Sequence, residues 1–309
     1  MLRESLFSIG RGFAMGAADI VPGVSGGTIA LVLGIYERLV ASIKAGSSAI
    51  GNLIKGDVTA ARRWIGAVEW LLILPLGLGI LAAIVALSQL IESLLHDQPV
   101  AMASLFTGLV VGSIAIAWRM IRTPSGLLVG VVLAVGLAVF LVLGFRPGTT
   151  EASVDQVTEP ALWAFFLSGA IAICAMILPG ISGSFILVIL GMYGAVLGAV
   201  NDRDGIALIV FTLGAVVGLG LFSQVLDWAL KTRHDLVMAA LVGLMVGSLR
   251  VLWPWPNGVD STALGAPDDD IGLAIVLGVI GFVVVMALNW VANRMLSVEA
   301  ANEPLLDGH

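Results

Sequence analysis

Two short stretches of this chain hold the residues best suited to chemistry. PGVSGGT at 22–28 and PGISGS at 179–184 each set Pro and Gly ahead of a Ser, then small residues and an apolar run. Pro at a first helical turn followed by Gly and Ser describes a helix start, with outward backbone N–H groups and a hydroxyl able to cap them. Such starts attract anions, because the amides lack partners and the helix dipole is positive there. Ser25, Gly26, Gly27 and Thr28 would line one such site, and Ser182, Gly183 and Ser184 the other. The plainer alternative is that Gly and Ser simply allow close helix packing in lipid.

Asp19 stands three residues before Pro22 in an otherwise apolar run. A carboxylate within a membrane costs ~2.5–3.5 kcal/mol on insertion scales, so it is expected to carry a proton, meet a cation or cap the turn. Its counterpart in the second stretch is Met176, so the acid belongs to the first alone. Glu37 and Arg38 follow Tyr36, and Asp19 with Glu37 is the candidate proton-coupling pair. On a continuous helix Arg38 would lie roughly 20 Å, and Arg11 roughly 16 Å, from the Pro-Gly tip. Both arginines are then residues of the mouth, either snorkelling to the interface or meeting a lipid phosphate. His96, His234 and His309 fall in expected loops or the tail, and Cys174 is alone, so neither a metal site, a disulfide nor a cofactor is expected.

The elements that must position these residues follow from composition. Of 309 residues 59% are hydrophobic and 12% charged, and the mean hydropathy is +1.06. Soluble domains carry about 25% charged residues, so most of this surface faces something other than water. The net charge of -6 and the lack of a basic run argue against a nucleic-acid partner. Six stretches, near 68–95, 100–118, 126–145, 206–230, 236–253 and 271–292, are long and apolar enough to cross ~30 Å of hydrocarbon. Regions 5–43 and 161–200 are apolar but broken by Pro-Gly, which reads as two re-entrant hairpins, with full crossings as the alternative. The fold class is all-α, a polytopic integral membrane protein.

The chain also repeats itself. PGVSGGTIALVLGIY (22–36) matches PGISGSFILVILGMY (179–193) at an offset of 157, and LSQLIESLL (87–95) matches FSQVLDWAL (222–230) at 135. The 22 residues lost fall in the polar stretch near 44–65. The single membrane domain 1–309 thus divides into a first repeat, 1–150, and a second, 151–309, each with one hairpin and about three crossings. An odd number of crossings inverts the second half, the plan of many secondary transporters. With the N-terminus inside, twelve of the fifteen basic residues fall on the inner side, leaving Arg146, Arg203 and Arg250 with the acidic clusters Glu151–Asp155–Glu159 and Asp268–Asp270 outside. That bias sets both termini in the cytoplasm. Gln89 and Gln224, and Glu92 and Asp227, are repeat partners that either line a polar path or bond between helices. The eight tryptophans read as an interfacial belt.

GRGFAMGAADIVPGVSGGTIALVLGIYERL (10–39) resembles the signature of the polyprenyl-phosphate transporter family, and MILPGISGSFILVILGMYG (176–194) resembles that family's later repeat. The resemblance implies movement of undecaprenyl phosphate from the outer to the inner leaflet of the bacterial cytoplasmic membrane, recycling the carrier lipid for peptidoglycan and other envelope polymers. The expected partners are then the polyprenyl phosphate and membrane lipids, and a homo-oligomer is allowed. The rival enzyme is an undecaprenyl-diphosphate phosphatase, whose similar motif carries an arginine where this chain has Gly26 and Gly183. Phosphoryl transfer needs a cation on the transferring group, so no enzyme is expected. A carrier of a small soluble anion is the second rival, distinguished by a closed aqueous vestibule in place of an opening towards lipid.

Overall fold

The computed structural model describes residues 2–21, 24–144, 160–256, 258, 264–267 and 270–302. Pro22, Gly23, Asp268, His309 and the 145–159 segment, which holds Arg146, the acidic Glu151–Asp155–Glu159 cluster and the expected boundary of the halves, lie outside the described residues. Among the described residues the chain forms thirteen helices and no strand. They are α1 (Leu2–Asp19), α2 (Gly26–Val32), α3 (Tyr36–Ile54), α4 (Val58–Gly66), α5 (Trp70–Asp97), α6 (Pro99–Arg119), α7 (Gly126–Gly144), α8 (Leu162–Ile177), α9 (Gly183–Ile189), α10 (Tyr193–Asn201), α11 (Gly205–Thr232), α12 (His234–Ser248) and α13 (Ile271–Asn302). Lipid offers no partner to a backbone N–H, so an apolar chain closes its hydrogen bonds within helices.

Five helices are long and apolar enough to cross a membrane: α5, α6, α7, α11 and the 271–294 part of α13. Their outward faces carry large apolar side chains, with Leu74 58% and Val85 84% exposed, a surface that suits lipid and not water. The sixth expected crossing, 236–253, is instead the 15-residue α12. At 1.5 Å per residue it reaches only about 22 Å. The Trp-Pro-Trp-Pro run at 253–256 cannot continue a helix, and the chain folds inward. Leu252 and Trp255 are buried there, Thr107 Oγ1 donates to the Leu252 carbonyl at 2.6 Å, and Trp253 Nε1 donates to the Gly265 carbonyl at 2.9 Å. Trp253 and Trp255 are therefore packed residues and not part of a belt, whereas Trp163, Trp228 and Trp290 remain exposed near helix ends.

The segments that follow the two Pro-Gly motifs also differ from a continuous helix. Both break after seven residues, at Gly34 and Gly191, each with φ of 69°, a left-handed conformation that favours glycine. Beyond the second break α9 and α10 meet at an angle of 110°. Arg38 and Arg11 are thus not placed by a straight-helix rise. The residues present only in the first half form the last ten of α3, which has 19 residues against nine in α10, and all of α4.

Glycines decide which helices touch. α1 lies along α5, and α8 along α11, because side-chain-free positions let the backbones meet. A Cβ on Gly12 would overlap the Leu76 carbonyl, and one on Gly169 the Phe211 carbonyl. Gly79 meets the Ile9 carbonyl as Gly214 meets that of Phe166. Each second contact is the first shifted by 157 and 135. The remaining pairs cross between the halves. Gly112 of α6 faces Val285 of α13, a Cβ there falling 3.2 Å from the Val285 Cβ, and Gly247 of α12 faces Val139 of α7 at 2.6 Å. Val139 and Val285 differ by 146, an offset that pairwise matching of the sequence did not reveal. α13 therefore packs on α6, and α7 on α12.

Candidate functional site

The described residues of the two motifs meet. Ser25, fully buried at the N-cap of α2, accepts from the Gly27 amide at 3.1 Å and donates to the Met176 carbonyl at 3.0 Å. Thr28 Oγ1 accepts from the Gly180 amide at 3.0 Å. Gly180 has φ of 87°, and the turn it makes brings residues 151 and 152 positions apart into direct contact. A Cβ on Gly27 would stand 2.5 Å from the Ile177 carbonyl, so the glycine is what lets the two turns close on each other.

The amides expected to point outward from α2 are already taken. Gly26 N donates to Asp19 Oδ1 at 2.6 Å, and Gly27 N to Ser25 Oγ. The chain doubles back between α1 and α2, and a Cβ at Gly26 would fall 2.5 Å from Asp19 Oδ2. The carboxylate thus occupies the place an external anion would take, held there because residue 26 has no side chain. In the second turn Met176 fills the matching place, 2.5 Å from a Cβ on Gly183. Ser182, buried at the N-cap of α9, bonds no helix amide; its hydroxyl lies 2.8 Å from that of the exposed Ser184. The two sites therefore differ by one charge.

The other predicted residues lie apart from the turns. Arg38 Nε donates to Glu69 Oε2 at 2.9 Å, in an exposed pair at the base of α5. Glu37 meets His234 Nε2 at 3.1 Å. Arg11 stands half-buried on α1, eight residues before Asp19. Cys174 in α8 donates weakly to the Gly218 carbonyl at 3.5 Å.

Sequence reasoning missed a polar belt at the α3–α12 end. His234 bridges Glu37 and Asp235, its Nδ1 lying 3.1 Å from Asp235. Asp235 accepts from the Thr123 hydroxyl at 2.6 Å and from the Arg122 and Thr123 amides at 3.0 and 2.9 Å. Asp227, nearly buried, joins Lys44 at 2.6 Å and Lys231 at 2.8 Å. These partners are up to 197 residues apart, and no local pattern marks them. The Thr123 hydroxyl, followed by the Arg122 amide, holds the Asp235 carboxyl well below the usual carboxylate range. A depressed folded pKa means the tether is complete above the unfolded value of about 3.9 and is lost only as pH falls through the lowered one. Asp235→Asn is expected to speed hydrogen exchange at residues 122–123 at neutral pH, where the wild-type tether is complete; unchanged exchange there would dismiss the tether.

Tyr36 opens α3, and among the described residues its hydroxyl is the buried polar side-chain atom without a partner. An unpaired buried hydroxyl costs about 1–3 kcal/mol, so Tyr36→Phe should keep or raise the thermal midpoint of the purified protein. A lower midpoint would mean the hydroxyl has a partner after all.

The chain matches a family model described as undecaprenyl phosphate translocase-like over residues 15–265. It is similar to a polyprenyl-phosphate transporter of Vibrio cholerae, 40% identical over 253 residues that make up 79% of this chain and 76% of the relative. A polyprenyl-phosphate transporter of Staphylococcus aureus is 28% identical over 290 residues, 90% of this chain and 94% of that one. No solved structure matches.

Proposed function

Because the chain belongs to the undecaprenyl phosphate translocase-like family, we propose that it carries polyprenyl phosphate from the outer to the inner leaflet of the bacterial cytoplasmic membrane, returning the lipid to envelope synthesis. It is a membrane transporter and not an enzyme, in keeping with the family and with Gly26 and Gly183 standing where a phosphatase would set its arginine. The observation that carries the reading to particular residues is the joining of the two turns through Ser25–Met176 and Thr28–Gly180. An inverted repeat puts such a junction at the bilayer midplane, where secondary transporters bind.

Several features support that arrangement. α2 and α9, at seven residues, span about 10 Å each and so suit re-entrant arms. Lys44, Lys231, Arg38 and Arg122, all assigned to the cytoplasmic side by the basic-residue bias, carry or flank the polar belt at the α3–α12 end. The prenyl chain stays in lipid while the phosphate crosses. Moving one negative charge inward against an inside-negative potential costs about 2.3 kcal/mol per 100 mV. A proton taken by Asp19 cancels one such charge and loosens the carboxylate from Gly26, opening the turn to the phosphate. Ser25, Gly26, Gly27, Thr28, Ser182, Gly183 and Ser184 then form the midplane cradle, with Arg11 and Arg38 at the inner mouth.

The test is leaflet-resolved exposure of undecaprenyl phosphate in cells depleted of this protein and of any second translocase. Outer-leaflet build-up, reversed by wild type but not by Ser25→Ala/Ser182→Ala, is expected. Accumulation of the diphosphate would make it a phosphatase, and an unchanged lipid would favour a soluble anion.

A further inference from the structure

A half-open groove of about 200 Å³ lies beside the second turn, between α7 and α9. Val139 and Val142 of α7 face Phe185 and Ile189 of α9 across it, and Ser182 and Ser248 are its polar members. It is smaller than the ~300–1,000 Å³ sites that enclose whole drug-sized ligands, so it suits one end of a long molecule. Ala138 and Val142 on its wall are exposed, which opens the groove to the bilayer and not to an aqueous vestibule.

One cation stands at its end. Arg250 follows the groove residue Ser248 by two positions, and its guanidinium lies 4.6 Å over the Phe140 ring. A Cβ on Gly144 would come within 2.8 Å of both terminal guanidinium nitrogens, so the arginine reaches the α7 terminus just beyond Leu143, another groove residue. Gly144 leaves the room, and the ring holds the planar group by a cation–π contact. Guanidinium presents a fork of donors that fits phosphate oxygens. Arg250 is also one of three basic residues assigned to the outer side, where basic charge is sparse.

We propose that this groove is the port at which the outer-leaflet lipid docks, with its phosphate on Arg250 and its first isoprene units against Val139, Val142, Phe185 and Ile189. The inference rests on the transport reading above. An apolar wall is useless to a soluble anion, and a single narrow groove takes one chain, which selects a prenyl phosphate over a two-chain phospholipid. Ser182 belongs both to the groove and to the second turn, so the docked headgroup stands next to the junction through which it must pass.

The probes are undecaprenyl phosphate, farnesyl phosphate, farnesol and inorganic phosphate, bound to the purified full chain in detergent. Wild type is expected to bind both prenyl phosphates and to bind farnesol and inorganic phosphate far more weakly. Arg250→Gln and Val142→Trp should each weaken prenyl phosphate binding about tenfold or more, with Arg250→Lys falling between. Leu133→Trp, on an exposed face of α7 away from the groove, should bind as wild type with the same thermal midpoint. Wild-type affinity in both groove variants would overturn the port and leave the transport reading standing. No prenyl phosphate binding by wild type, together with no change in leaflet exposure on depletion, would overturn both. Equal competition by phosphatidylglycerol would make the groove a general lipid contact and end the proposal.

Discussion

Asp19→Asn is expected to abolish the response of transport to a pH gradient while leaving the turn folded. The amide is isosteric and its oxygen can still accept from Gly26 N, so the 2.6 Å contact that closes the start of α2 survives. It cannot take up a proton, so the phosphate would cross with its full charge uncompensated. One uncompensated charge at 100 mV is worth ~2.3 kcal/mol, a loss of roughly fiftyfold in the gradient-driven rate. Asp19→Ala should do more harm, because removing a charged cap also costs about 1.5–3 kcal/mol of stability. The measurement is return of undecaprenyl phosphate to the inner leaflet of vesicles under an imposed pH difference. Normal transport by Asp19→Asn, with the dependence on pH intact, would remove the acid from the coupling role. Glu37 gives the contrast: bonded to His234 and exposed, it should tolerate Gln with at most a ~1 kcal/mol change in stability.

The largest losses of stability should come from glycines that carry no chemistry. Gly12→Ala and Gly169→Ala each set a methyl into a carbonyl of the neighbouring helix, as do Gly79→Ala and Gly214→Ala. Overpacking of this kind costs ~1–3 kcal/mol or more, since a helix backbone cannot swing aside as a side chain can. The four variants should lower the thermal midpoint, and matched positions should fall by similar amounts because their contacts match. Gly10→Ala and Gly130→Ala, where a Cβ meets nothing within 4 Å, should be neutral or raise it by the ~1 kcal/mol that separates Gly from Ala in helices. If Gly10→Ala and Gly12→Ala behaved alike, the packing of α1 on α5 would be wrong.

Much of this molecule follows from local composition. Apolar runs of about twenty residues can only be helices in lipid, and that logic located α5, α6, α7, α11 and α13 without any knowledge of their neighbours. The repeat of Pro, Gly and Ser marked both motifs, and Gly180 takes a positive φ that favours glycine. Asp19 stood out for the same kind of reason: a carboxylate in an apolar run is costly, so its presence alone identified it.

What sequence could not reach depends on contacts between distant residues. The pairing of Asp227 with Lys44, and of Glu37 with His234, joins positions with no periodic relation. The offset of 146 between α7 and α13 emerges only when Val139 and Val285 are seen against Gly247 and Gly112. Arg250 read as one outer charge among three until the Phe140 ring and Gly144 gave it a place at the mouth of a groove. The amides at the start of α2 were legible as an anion site, but only the doubling back of the chain shows that Asp19 already fills it. Residue type is fixed by what a segment must face, whereas partnership is fixed by which backbones can approach, and here glycine decides that in three dimensions.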